Sequence, residues 1–159
     1  MKQNSSLENR FMELRLGSQL FAVPLGRVKE VIQKPEITAI PSMPSHFEGM
    51  INLRGQILGV HNLRKRLQAK GRETGADSQP EVVVVIEGSD LSVGMIVDEV
   101  TRVLHTESGQ VKEAPLRPED PASKFIAAVV QDGDTTIMAL DLDTLLDLSP
   151  VKKDIKKAA

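Results

Sequence analysis

The chain has 159 residues, 40% of them hydrophobic and 26% charged, with 20 Lys and Arg against 22 Asp and Glu and a formal net charge of -2. A chain of this size buries roughly 68 to 70% of its unfolded surface, so it needs no metal or disulfide to hold it together, and with no Cys it has no disulfide to form. The longest apolar run, Phe125 to Val130, is far short of the ~20 residues that cross a bilayer, and the polar start MKQNSSLENR has no secretory h-region; the expectation is a cytoplasmic protein without direct membrane insertion.

The elements read in chain order as short β-like runs punctuated by turn residues. Met12, Leu14 and Leu16 alternate with Glu13 and Arg15, and Gly17-Ser18-Gln19 turns the chain into Leu20 to Val23, a hairpin. Beyond Pro24, the residues Leu25, Val28, Val31 and Ile32 have the spacing of one helical face and predict a short helical turn. Extended stretches follow at Ile37 to Ile40, Met50 to Leu53 and Ile57 to Val60, the last two joined around Gly55, and Asn62 is placed to cap a helix carrying Leu63 and Leu67. Residues 70–80, KGRETGADSQP, read as an exposed loop.

The second half repeats the plan. Val82 to Ile86, a turn at Gly88-Ser89-Asp90, Leu91 to Val97, a helical turn, Gln110 to Ala114, Phe125 to Val130, a turn at Asp132-Gly133-Asp134, Thr136 to Leu140 and a final Leu-rich helix follow in order. A shift of 72 carries Leu25, Val28, Val31 and Ile32 onto Val97, Val100, Val103 and Leu104, and a shift of 78 carries Phe47 onto Phe125. The chain is therefore expected to be mainly β, with two five-stranded repeat units, each a small barrel, over about 10–69 and 81–148; the exact barrel boundary, and whether the barrels exchange strands, stay open. A misread single sandwich is the competing architecture. Residues 149–159 form a basic tail, read as a frayed, solvated end.

Few residues suggest chemistry. His46, His61 and His105 match no local zinc spacing and read as ordinary surface or satisfied histidines. There is no thiol, no G-x-S-x-G and no phosphate-cradling glycine loop; no catalytic residue, metal or cofactor is expected, and the protein reads as a non-enzyme. Asp132-Gly133-Asp134 is a hairpin turn rather than a calcium loop, and Asp141 and Asp143 fit helix capping. The four rings, Phe11, Phe21, Phe47 and Phe125, lie in core-like contexts, leaving no stacking platform for single-stranded nucleic acid. The segment Asn62 to Arg72, NLRKRLQAKGR, carries five cations and is open to three readings: a solvated helix face, a site for an acidic protein, or a nucleic-acid contact. An acidic body makes a small β-barrel nucleic-acid binder the remote rival, and an enzyme on an acidic metabolite ranks lower.

The string FEGMINLRGQILGVHNLRKRL from Phe47 onward resembles the signature of the CheW family, with its F-x-x-G start, N-L-R-G turn and short Leu-rich helix. FMELRLGSQLFAVPLGRVKEVI, LSVGMIVDEVTRVL and IMALDLDTLL match the same family in order, so the resemblance spans about residues 10–148. It implies two linked five-stranded SH3-like β-barrels with short helices. It also implies a non-enzymatic adaptor, monomeric in isolation, that couples the cytoplasmic tip of chemoreceptors to the regulatory domain of the histidine kinase CheA. A paralogue serving a non-flagellar pathway, in pilus motility or second-messenger control, is the alternative. Length is expected to set the chain apart from CheA and from the receiver-domain fusions of CheV type.

The resemblance carries over residue by residue. Glu30 matches the acidic residue of V-x-E-V/I and Arg54 the Arg of N-L-R-G; as carboxylate and guanidinium they suit a bidentate pair holding the first helical turn against the hairpin, and structural support and direct partner contact both remain open. Val28, Gly49, Ile57 and Val103 fall where the family presents receptor-facing or kinase-facing surface, with core burial the competing account for Val28 and Val103. The chain departs from the family's P-V-x-D-L stretch in having Gly59 and Asn62 at the Pro and Asp positions.

Overall fold

A computed structural model describes residues 9–69, 80–88, 91–107, 109–115, 117 and 119–146. Residues 70–79 of the loop expected at 70–80, residues Ser89 and Asp90 of the second turn, and the basic tail at 149–159 lie outside the described residues. Among the described residues, eleven strands run in chain order: β1 Arg10–Leu16, β2 Gln19–Pro24, β3 Val28–Gln33, β4 Phe47–Leu53, β5 Gln56–Asn62, β6 Val82–Glu87, β7 Ser92–Val97, β8 Glu99–His105, β9 Val111–Glu113, β10 Ile126–Asp132 and β11 Thr135–Leu140. Among the described residues, two short α-helices, α1 Leu63–Leu67 and α2 Leu142–Leu145, follow β5 and β11. Among the described residues, no helix is long and apolar enough to cross a membrane.

The strands form a six-stranded sheet, β8-β1-β2-β11-β10-β9, and a five-stranded sheet, β3-β6-β7-β5-β4. The two orders are equivalent under the sequence repeat, but neither sheet is built from one half of the chain. Hairpin β1–β2 sits in the sheet that holds β8 to β11, and hairpin β6–β7 sits in the sheet that holds β3 to β5. The repeat halves at about 10–69 and 81–148 therefore exchange their first hairpins between the sheets, the alternative that the sequence left open. The repeat even sets the ladder register, with Glu13 opposite Arg102 in the first sheet and Val85 opposite Glu30 in the second. The strand counts differ because β9 is answered in the second sheet only by a single bridge, Thr38 to Met50.

Three local expectations also change. Within the expected helical turn only Leu25–Arg27 are helical, as a 3-10 turn, and Val28–Gln33 run extended as β3, as Glu99–His105 do in β8. The apolar spacing fits a helix, but these stretches are rich in Val and Ile and have β6 and β1 to pair with, so tertiary pairing overrides the local period. Ile37 to Ile40 contributes one bridge rather than a strand, consistent with the flanking Pro35 and Pro41, which lack the N–H a ladder needs. Asn62 N–H donates to the His46 carbonyl and Asp141 N–H to the Phe125 carbonyl, so His46, not Phe47, is the counterpart of Phe125.

Helix starts follow the sequence. The Asn62 side chain accepts from Lys65 N and that of Asp141 from Thr144 N, each satisfying an amide the first helical turn leaves open. The apolar residues separate into three clusters. Ile51, Leu58, Val60, Val83, Val85 and Ile96 fill one barrel; Ala22, Leu104, Val130, Ile137 and Ala139 fill the other. Met12, Leu14, Leu16, Phe21 and Val23 meet Val84, Ile86, Met95 and Val97 between them, with Leu63, Leu67, Leu142 and Leu145 of the helices. This explains the unbroken run Val82 to Ile86: alternate residues face the barrel interior and the seam, so both faces of β6 are buried. Phe21, Phe47 and Phe125 are buried, as expected, and Phe11 packs partly against its barrel core.

Candidate functional site

Glu30 lies on β3 and Arg54 in the tight β4–β5 turn, where Arg54 and Gly55 both take positive φ, 53° and 84°, and Asn52 Oδ1 accepts from Gly55 N at 2.8 Å. This turn projects the Arg54 guanidinium back onto Glu30, with Nη1 donating to Oε2 at 2.8 Å. The contact is single rather than bidentate: Glu30 Oε1 is buried and has no hydrogen-bond partner. Glu30 is therefore tied through an exposed Arg54 across the mouth of the barrel built on the five-stranded sheet, where the two line a shallow depression with Leu53, Leu58, Val85 and Ser92. What it holds is an edge strand, not the helical turn anticipated for this segment.

The other barrel carries the same device with its charges inverted. Arg102, the counterpart of Glu30 on β8, donates to Asp132 at 2.6 Å at the end of the β10–β11 hairpin. Here a third group completes the set: Glu13, 4% exposed, accepts from Arg102 Nε at 3.2 Å and from the Thr101 hydroxyl at 2.6 Å. The hydrogen bond to Asp132, with the charges of Glu13 and Asp132, raises the Arg102 pKa. The apolar matches of the repeat do not reveal this cluster; the signal in the sequence is the 72-residue shift that lays Glu30 on Arg102, with the charge inverted.

The remaining candidates separate by burial. Ile57 is 58% exposed at the start of β5, and Val103 is 53% exposed on the edge strand β8. The parallel register that pairs Gly59 with Val93 brings Ile57 level with Leu91, also 58% exposed, so two apolar residues share one end of the second sheet. Val28 is half-buried against the seam core. Gly49 is buried with φ 146°, and a Cβ there would lie 2.2 Å from the Thr38 carbonyl oxygen; this close backbone approach accounts for its glycine. Gly59 gives room to the Phe47 ring, 3.1 Å from where its Cβ would stand.

The basic segment is engaged internally. Arg64 pairs with Asp98 and with Glu81, Lys65 pairs with Glu48 at 3.0 Å, and the Arg66 guanidinium lies 4.7 Å from the Phe125 ring centroid; Lys70 and Arg72 lie outside the described residues. Partial burial pushes the Glu48 carboxyl upward, but hydrogen bonds from Lys65 and Asn62 and the Lys65 charge hold it below its ordinary value. Nor is His61 an ordinary histidine: it is 3% exposed, stacked on His46 at 5.5 Å and edge-on to Phe47, with neither ring nitrogen hydrogen-bonded. Burial, with His46 and Arg66 adding to it, pushes its pKa down to about 4. His46 is lowered by burial and by Arg66.

The CheW-like domain family model matches residues 10–149. The chain is 29% identical to a chemotaxis protein CheW of Thermotoga maritima, covering 93% of this chain and 94% of that one, and 27% identical to one of Treponema pallidum, covering 91% and 85%. It is 34% identical to the protein PilI of Pseudomonas aeruginosa over 65% of this chain and 60% of that one. The crystal structure of the scaffolding protein TtCheW from Thermoanaerobacter tengcongensis superposes with a TM-score of 0.78 at 26% identity, covering 90% of each chain. With the family model spanning nearly the whole sequence and the exchanged two-barrel fold matching, the chain belongs to the CheW-like domain family.

Proposed function

We propose that this protein is a non-enzymatic chemotaxis scaffold that couples the cytoplasmic tip of chemoreceptors to the regulatory domain of the kinase CheA, in the cytoplasm at membrane-associated receptor arrays. The observation that supports it is the placement of exposed apolar residues on both sheets: Val103 on the edge of the first, Ile57 with Leu91 at one end of the second. Two separate apolar contacts on one rigid body suit a protein that holds two partners in fixed relative geometry, with avidity in an array adding to modest single affinities. Glu30 and Arg54 border the Ile57 end and support it; Val28 acts from within the seam and Gly49 through the β4 backbone.

The test is CheA autophosphorylation reconstituted with receptor signalling fragments, with and without the protein. Strong dependence on the added protein is expected; no dependence would overturn the coupling role. The similarity to PilI favours a second reading, a paralogue dedicated to a pilus pathway. Repeating the assay with kinase and receptors from the flagellar and pilus systems of one organism separates the two.

A further inference from the structure

The two barrels meet along an apolar seam, which resists separation but has no intrinsic direction. Directional contacts across it are concentrated where the chain crosses from one sheet to the other. Asp98 stands at the crossing from β7 to β8, 8% exposed. One carboxylate oxygen accepts from Gly17 N, in the β1–β2 turn of the first sheet, at 2.7 Å, and the other accepts from Arg64 of α1, the helix attached to the second sheet. Arg64 in turn pairs with Glu81 ahead of β6, at 3.6 Å. One carboxylate thus touches the crossing, the hairpin of the sheet being joined and the helix of the sheet being left.

The other crossing repeats this arrangement with opposite polarity. Arg27, between β2 and β3, donates from Nε to the Glu87 carbonyl at the end of β6 and from Nη1 to Asp143 of α2 at 3.2 Å. The two differ in solvent access: the Asp98 and Arg64 side chains are 8% and 20% exposed, those of Arg27 and Asp143 31% and 82%. The buried latch is the stronger constraint, because an exposed pair is screened by water while a desolvated, hydrogen-bonded one selects a single arrangement.

We infer that Asp98 is a positioning residue: its latch to Gly17 and Arg64 fixes the orientation of one barrel against the other, and thereby the geometry in which two bound partners are held. This rests on the scaffold reading above for its signalling consequence, but not for its structural one. Asp98 contacts neither Ile57 nor Val103, so its loss is expected to leave each separate binding step intact and to weaken the coupling between them.

The chain's lack of cysteine allows the geometry to be measured directly. Spin labels on Gln33→Cys in β3 and Lys112→Cys in β9, both exposed, report the distance between the sheets in the full chain. A narrow distribution is expected for the otherwise unchanged protein and a broadened or shifted one for Asp98→Asn. In the reconstituted kinase assay, Asp98→Asn is expected to lower receptor-dependent CheA activity about fivefold or more while the separate affinities for receptor fragment and CheA stay within about twofold, the scale of a coupling loss near 1 kcal/mol. An unchanged distance distribution in Asp98→Asn overturns the inference, and so does a broadened one with full kinase coupling. Equal weakening of both separate affinities overturns it too, since that marks a general loss of fold. If the unchanged protein does not activate CheA at all, the scaffold reading fails, and the distance measurement still decides the latch.

Discussion

Replacing His61 by Leu removes a titratable ring from the interior at nearly constant volume, and the structure sets how stability then depends on pH. The imidazole is buried beside His46 and near Arg66, neither of which welcomes a proton on it, and its nitrogens have no hydrogen-bond partner. Its pKa is therefore about 4 in the folded protein, against 6.5 for an unperturbed histidine. Between these values the unfolded chain binds more protons than the folded one, so stability is lost as pH falls from 6.5 toward 4 and is unaffected by this group above 6.5. At pH 5 the loss is about 2 kcal/mol, or about 4 to 8 °C in Tm for a chain of this size. Thermal melts of both proteins at pH 7.5 and pH 5.0 isolate the effect, since every other titrating group is shared. The parent protein is expected to lose about 4 to 8 °C more than His61→Leu on acidification. At pH 7.5 the variant should be at least as stable, because two unsatisfied nitrogens are gone. Parallel losses within 1 °C would refute the reasoning and show that water or a local opening already hydrates the ring.

Gly49→Ala is expected to cost at least about 2 kcal/mol, from a backbone conformation only glycine adopts readily and a Cβ driven into the Thr38 carbonyl; a melting temperature within 1 °C of the parent would contradict this. Val103→Asp changes an exposed edge position, so Tm should move by no more than about 3 °C while receptor-fragment affinity falls at least about tenfold, both read on one preparation by melting and titration. A large fall in Tm would place Val103 in the core instead. Arg54→Ala removes an exposed partner worth about 1 kcal/mol or less, yet should impair kinase activation by freeing Glu30 at the barrel mouth. Unchanged receptor-stimulated phosphorylation would remove Arg54 from the coupling surface.

The sequence alone determined the strands, turns and caps whose cause is local. The β1–β2 hairpin, the Arg54-Gly55 turn and the Asn62 and Asp141 caps depend on residues within a few positions of one another, and all form where their residue types predict. The repeat was legible too, because equivalent strands bury equivalent faces. Read as a helical face, Leu25 to Ile32 went astray because Val-rich segments satisfy either period until a partner strand is present. Of the candidate site, the Glu30 and Arg54 pairing was legible from residue types and the family pattern, whereas the Arg102 and Asp132 counterpart was hidden by its inverted charges.

Only the tertiary structure decided which hairpin joined which sheet. Either arrangement buries the same alternating residues, so periodicity cannot distinguish a barrel built from one half of the chain from one completed by the other. The choice falls to contacts across long sequence separations, such as Asp98 with Gly17 and Arg64. Exposure is decided at the same level: Val31 and Val103, equivalent in the repeat, are both exposed, at 39% and 53%, whereas Val28, drawn from the same apolar pattern, packs into the seam. Which side of a strand lies over the seam determines whether an apolar side chain faces solvent or the core, and that placement is a property of the whole fold.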